Sequence, residues 1–413
     1  MRFLFISTHV DQTTGYSKVA YNMLRQLGSL APKVKTFHFG FQRHPNRPGH
    51  RKIPEGVIAY DAAANEDPKE EGFGFNKIKE YVETVTPDVI MIYNDPLIIC
   101  KFFEALKLDK DSKPPYKIWL YVDQVYHGIN QGLIDGMNQH ADRIYCFTDS
   151  WAETYCKYQV KDRSVVPQVI EHAVDPTMFT NMPRGERASL RTNFKIPSDA
   201  LVYLNMNRNS QRKRLDVTIM GFVRLLKAGS VPNAHLLIVT NVNPQSGAYY
   251  DVQRIYQDSL TKDGLSVDEY AKRLMVVDTA PPNVINDETI NQIYNLSDIG
   301  VNTSDGEGYG LCQLEHLYTG APQVVTDVGS YGSFLDDTVC DTIKTTPDSR
   351  YYFPGGMPLG LYAPTFEVGA VATALESAAK NIDTRRAAIE KYTFKSWAKV
   401  CDPWLEDVHQ AST

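Results

Sequence analysis

The chain has 413 residues, 43% of them hydrophobic and 22% charged, with a formal net charge of −6. That leaves room for two or three domains with real cores, and the lack of a basic excess points away from nucleic acid as a partner. No apolar run approaches the roughly 18 residues of a membrane-spanning helix. The N-terminus MRFLFISTHV is too short and strand-like for a secretory signal. The six cysteines are scattered without CxxC spacing and read as reduced, mostly buried thiols of a cytoplasmic protein with no metal site.

In chain order, RFLFIS reads as a first buried strand. A helix follows, with Val19, Ala20, Met23, Leu24 and Leu27 at helical spacing, Ser17 as its cap and Gly28 at its end. A strand, a flexible loop with Gly15 and a helix begin a Rossmann-like unit. Gly15 stands alone, however, so the dinucleotide pattern GxGxxG is absent. VKTFHFGF is a second strand. The basic segment QRHPNRPGHRKIPEG reads first as an exposed, solvated loop, with contact to an acidic acceptor or a membrane surface as the alternative. Lys69 to Glu83 reads as helical, PDVIMIYN as a strand and Asp95 to Leu106 as a helix. KIWLYVDQ is a further strand ending near Asp123, where polar residues of such sheets face the ligand crevice. ADRIYCFTDSWAETYCKYQV is a strand and then a helix capped by Ser150.

LVYLNM restarts the pattern, with a helix face of Leu215, Ile219, Phe222, Val223 and Leu226 after the basic loop RNSQRKR. HLLIVTNV, RLMVVDTA and DIGVNTS are strands, and Glu288 to Asn295 is a short helix. Beyond residue 330 the pattern weakens until an Ala-rich helix from Phe366 to Lys380. Trp397, Val400, Trp404, Leu405 and Val408 then anchor a last helix. No internal repeat is evident, and a boundary near residues 175 to 195 divides two Rossmann-like halves.

The most informative stretch is SDGEGYGLCQLEHLYTGAPQVVTDVGS, Ser304 to Ser330. Gly308 and Gly310 permit close approach of the backbone to a ligand. Leu311, Leu314, Leu317 and Tyr318 share one face of a helix that Gly320 ends, and QVVT is a buried strand. The helix N-terminus near Gly310 suits a diphosphate, because its first N–H groups lack intrahelical partners. With about 1.5 Å of rise per residue, Glu307 and Glu315 stand on the order of 10 Å apart. Carboxylates accept from paired hydroxyls, so the two suit a ligand with a sugar, a diphosphate and a ribose in line.

Glu307, Gly308, Tyr309, Gly310, Leu311, Glu315, Gly320, Pro322, Val324 and Val325 resemble the signature of retaining glycosyltransferases of family 4. The resemblance implies an α/β chain with two Rossmann-like domains facing each other across a cleft, the GT-B fold. Residues 1–180 would form the acceptor-side domain, 181–390 the donor-binding domain, and 391–413 a helix packing back on the first. It further implies that Arg208 and Lys213, five residues apart, bind the donor diphosphate, with Arg212 and Arg214 as spare, solvated charges. Gly15 would approach the donor phosphates, though Thr14 replaces the usual first glycine of a pair. Asp123 and His127 are candidates for contact with the donor sugar. Here Val122 occupies the family's histidine position and His127 falls four residues late. Val284 marks a loop whose main chain would meet the base. Glu171–Asp175 and Phe179 resemble the family's interdomain segment, with His172 and Ala173 replacing its Asn-Gly.

The function so implied is transfer of a hexose from a nucleoside diphosphate sugar to a hydroxyl of a glycan or other acceptor, with retention. GDP-mannose is the first expectation for the donor and a UDP-sugar the second. Arg208, Lys213 and the amides of Gly310 and Leu311 would stabilise the departing diphosphate. Glu307 would hold the hexose and Glu315 the ribose. No cofactor or obligatory metal is expected. The alternatives are a non-catalytic nucleotide-sugar binding protein and an NAD-dependent oxidoreductase, the latter disfavoured by the missing GxGxxG.

Overall fold

The computed structural model describes residues 1–43, 51–64, 66, 68–109, 113–158, 166–283, 285–354 and 360–412. Contacts divide the chain into two compact units. Unit 1 comprises Met1–Ala173, Tyr352–Tyr362 and Lys395–Thr413, and unit 2 comprises Val174–Tyr351 and Ala363–Phe394.

Unit 1 alternates strand and helix: β1 (Arg2–Thr8), α1 (Gly15–Gly28), β2 (Lys35–Phe41), β3 (Val57–Asp61), α2 (Ile78–Val85), β4 (Val89–Asn94), α3 (Pro96–Ala105), β5 (Lys117–Val122), α4 (Gln131–His140), β6 (Arg143–Cys146), α5 (Asp149–Tyr158) and β7 (Gln168–Val169). The strands pair in parallel in the order β3-β2-β1-β4-β5-β6-β7. Parallel strands need helical crossovers, which cover both faces of the sheet. This explains why all six residues of β4 are buried.

Unit 2 runs α6 (Arg184–Asn193), β8 (Leu201–Met206), α7 (Leu215–Ala228), β9 (Ala234–Thr240), α8 (Val252–Asp263), α9 (Val267–Tyr270), β10 (Leu274–Asp278), α10 (Asp287–Leu296), β11 (Ile299–Asn302), α11 (Leu311–Tyr318), β12 (Gln323–Thr326), β13 (Cys340–Ile343), α12 (Val368–Lys380) and α13 (Ile382–Ile389). Its parallel sheet has the order β10-β9-β8-β11-β12-β13. The order reverses between β1 and β4 in unit 1 and between β8 and β11 in unit 2. At such a point the loops leaving adjacent strand ends diverge and open a crevice.

The last helix, α14 (Trp397–Ser412), belongs to unit 1 and packs beside α1. Trp404 is fully buried, with its ring 6.1 Å from that of Phe3. Asp407 accepts from the Tyr145 hydroxyl at 2.7 Å and pairs with Arg143 at 2.7 Å. No helix among the described residues is long and apolar enough to cross a membrane.

Several local expectations change. Thr14, not Ser17, caps α1: its side chain accepts from the Ser17 amide at 3.2 Å, while the Ser17 hydroxyl bonds back to the Gln12 and Thr14 carbonyls. Ser150 lies inside α5, which starts at Asp149. The expected helix from Lys69 shrinks to a 3₁₀ turn at Pro68–Glu70 and α2. Within the expected exposed loop, residues 44–50 lie outside the described residues. Arg51 is buried and donates to the Gln12 carbonyl at 2.6 Å and the Ser17 hydroxyl at 2.9 Å. The helix after Gly310 has no single apolar face, because Gln313, Leu314, Glu315, His316 and Leu317 are all buried. Of the six thiols, Cys146, Cys340 and Cys401 are buried, Cys100 and Cys312 intermediate and Cys156 exposed.

Candidate functional site

The loops at the sheet reversal of unit 2 build a compact charged cluster. After β8 the chain makes a 3₁₀ turn at Gln211–Lys213 and enters α7 through Arg214, whose φ of 45° is left-handed. After β11 it runs through Thr303–Gly310 to α11. The two loops are tied by the Asp305 amide, which donates to the Arg212 carbonyl at 3.0 Å. Arg212 Nη1 in turn donates to the Gly306 carbonyl.

Glu307 is the meeting point. Its Oε2 accepts from Lys213 Nζ in a close ion pair and lies 3.5 Å from Arg212 Nη1, 3.4 Å from Asn302 Nδ2 and 3.5 Å from Ser304 Oγ. Burial alone would raise the Glu307 carboxyl, but Lys213 and Arg212 outweigh it and hold the group at about 2. Burial lowers the Lys213 ammonium from the usual lysine value, and Glu307 opposes that. Beneath the carboxylate lies a buried amide network. Asn302 Nδ2 donates to Gln313 Oε1 at 3.0 Å, and the Tyr331 hydroxyl donates to the same oxygen at 3.3 Å. Arg212 is thus not a spare solvated charge. Arg214 is half-buried and bound to Asp216 at 3.0 and 3.1 Å. Arg208 stands exposed at the start of the same loop.

The Gly-rich turn is fixed by packing. Gly310 caps α11 with φ of 99°, and a Cβ there would fall 2.4 Å from Tyr331 Cε1. Gly308 offers its carbonyl to the Ser330 hydroxyl. Tyr309 is buried, with its ring stacked on Phe334 at 5.1 Å. Leu311, the first residue of α11, is half-buried. Gly310 places no side chain over the first turn of α11. An α-helix leaves its first N–H groups without intrahelical acceptors, so this end is suited to an anion. One turn on, Glu315 is buried and accepts from the Tyr294 hydroxyl at 2.8 Å. That bond ties α11 to α10 and uses one of the carboxylate's several acceptor positions.

The remaining candidates lie in unit 1. Gly15 is the exposed first residue of α1. Asp123, just past β5, accepts from the Tyr16 hydroxyl at 2.5 Å. His127 sits between aromatic rings, 5.5 Å from Trp151 and stacked 6.0 Å from Tyr362, and its backbone bridges Tyr362. Val284 lies outside the described residues. The sequence could not reveal the roles of Arg212, Asn302 and Gln313. The first lies in a run of charges, and the others are amides whose partners are set only by folding.

Known proteins carry the same architecture. Sucrose-phosphate synthase from Thermosynechococcus elongatus superposes with a TM-score of 0.68 at 15% identity, covering 99% of this chain and 98% of that one. Anabaena HepE, in complex with UDP and glucose, gives 0.65 at 13% identity over 99% and 100% of the two chains. The E. coli trehalose-6-phosphate protein bound with UDP-2-fluoro glucose gives 0.65 at 12%, over 99% of each chain. Two parallel Rossmann-like sheets with a C-terminal helix define the GT-B fold, and this chain has it. No protein-family model matches the sequence. In sequence it is 26% identical over 218 residues to the D-inositol 3-phosphate glycosyltransferase of Thermobifida fusca (strain YX). The match takes in 53% of this chain and 47%, about half, of that relative's length. The likeness to GT-B glycosyltransferases is therefore found in sequence as well as in fold.

Proposed function

We propose that this chain is a hexosyltransferase that moves a sugar from a nucleoside diphosphate donor to an acceptor hydroxyl with retention of configuration. The observation that carries the reading is the Lys213–Arg212–Glu307 cluster beside the Gly310 end of α11. An ammonium has three donors, and Lys213 gives one to Glu307, leaving two directions for phosphate oxygens. Together with exposed Arg208 and the first amides of α11, it offsets the charge that develops on a departing nucleoside diphosphate. Such fixed cations do the work without an obligatory divalent metal. Glu307 holds hexose hydroxyls as an ionised acceptor, and Glu315 is assigned to the ribose hydroxyls. Asp123 and His127 are assigned to contact with the donor sugar, and Val284 and Gly15 to the base loop and the phosphate approach.

UDP is the favoured nucleotide, because the structural relatives with a nucleotide in hand hold UDP or a UDP-sugar. GDP-mannose stays in the test as the family's other habit. The experiment is nucleotide release from UDP-glucose and GDP-mannose in EDTA, with and without a panel of hydroxyl acceptors, and the product anomer read by proton NMR. UDP release with an α-linked product supports the reading. An inverted product overturns retention, and donor binding without turnover leaves a binding protein. Binding of NAD(H) alone turns the assignment to an oxidoreductase.

A further inference from the structure

Lys213 is committed twice. It is the closest cation to Glu307, and the proposed function, on which this inference rests, also gives it to the donor diphosphate. Glu307 is only 9% exposed, and a buried carboxylate whose single cation turns away is strongly disfavoured. We propose that Arg212 is a positioning residue that keeps Glu307 ionised and in place while Lys213 engages the donor phosphates.

Three observations support this. Arg212 Nη1 stands 3.5 Å from the same Oε2 that Lys213 contacts, so the second cation is already at hand. Its place does not depend on Lys213: the guanidinium is bonded to the Gly306 carbonyl, and its backbone carbonyl takes the Asp305 amide at 3.0 Å. Arg212 is thereby anchored to the very loop that carries Glu307. A planar guanidinium with five donors can bond a carbonyl and a carboxylate together, which a lysine at this position could do only in part. Asn302 and Ser304 add neutral donors at 3.4 and 3.5 Å, which orient the carboxylate but cannot balance its charge. Among the described residues, Cys312 from α11 and Tyr331 beyond β12 also face the cluster, and neither supplies a cation.

The test removes Lys213 from the pair by mutation, so it needs no donor. The Glu307 carboxyl is followed by ¹³C NMR against pH in full-length Lys213→Gln and in Lys213→Gln/Arg212→Gln, with Glu307→Gln to assign the signal. Arg212 alone should keep Glu307 titrating in the low-pH range, and its loss should raise that titration by about 2 pH units. Equal titration in the two variants would overturn the proposal. Should the double variant fail to fold, adding Glu307→Gln should restore folding by removing the stranded charge; a triple variant that stays unfolded would also overturn it. In turnover of UDP-glucose, Arg212→Gln should move the acidic limb of the rate profile upward by about one pH unit. Arg212→Lys should recover part of that shift, and an unmoved limb would contradict the role. Failure of the wild type to bind UDP would count against the glycosyltransferase reading, while the titration would still decide the role of Arg212.

Discussion

The two units share a strand order through six strands, yet their sheet reversals carry different chemistry. In unit 1 the helices that leave the reversal are closed by their own side chains. Thr14 accepts from the Ser17 amide at the start of α1, and Asp95 accepts from the Ile98 amide at 3.0 Å at the start of α3. In unit 2 the matching helices start at Arg214 and Gly310, both left-handed and neither giving a side-chain cap. The charges follow the same division. Unit 1 places Asp95 and Asp123 around its strand ends, while unit 2 gathers Arg212 and Lys213 around one glutamate, with Arg208 exposed in the same loop. Identical topology thus presents a sheet reversal twice, with different caps and different charges at the helix entries.

The largest effect should come from Lys213→Ala. Removing one partner of this buried pair should cost about 3 kcal/mol of stability, read by denaturant unfolding. Turnover should fall by roughly 10²–10³-fold, and near wild-type rates would remove Lys213 from the phosphate site. Gly310→Ala comes next, since a left-handed alanine costs about 1–2 kcal/mol before its Cβ meets Tyr331. UDP affinity should drop with it, and an unchanged calorimetric Kd would detach the Gly-rich turn from the donor.

Glu315→Ala should weaken UDP binding by about tenfold, the worth of roughly one good hydrogen bond to a charged acceptor. The Tyr294 hydroxyl loses its partner as well, so Tyr294→Phe is the control for packing. Unchanged UDP affinity in Glu315→Ala would count against the ribose role. Tyr16→Phe should cost unit 1 about 1–2 kcal/mol through the lost bond to Asp123, while leaving UDP affinity within about threefold. A large loss of affinity there would break the contrast between the two reversals.

Acid should also separate the units. Burial holds His38 and His172 in unit 1 and His316 in unit 2 at about 3, against the ordinary 6.5. The unfolded chain binds these protons first, so stability is lost as pH falls from about 6.5 toward 3, by about 1.4 kcal/mol per pH unit for each histidine. Glu307, held at about 2 against 4.5, adds a loss only below about 4.5. Hydrogen exchange at pH 5 should therefore show unit 1 opening before unit 2, and the reverse order would contradict these burial effects.

Much of this was legible in the sequence, because strands buried on both faces must be apolar runs and a left-handed helix entry favours glycine. RFLFIS, PDVIMIYN and QVVT announce β1, β4 and β12 in this way, and Gly310 announces the start of α11. What stayed hidden depends on contacts between distant residues. Helix α6 has no buried residue and hence no apolar stripe; instead Arg187 and Arg191 bond the carbonyls of Asn295, Leu296 and Ser297 at the end of α10. Strand β3 has no fully buried residue, and α4 carries two glycines, so neither shows a strong period. Glu307 and Lys213 are each visible as chemistry, but 94 positions separate them and nothing local declares their pairing.

The most direct test of the central claim is hydrogen–deuterium exchange of the full chain with saturating UDP in EDTA. Protection strongest at the loops at 208–214 and 306–315, above any at Gly15 or Val284, is the result the account predicts. Protection instead at 9–16 and 94–98, at the self-capped reversal of unit 1, would contradict it.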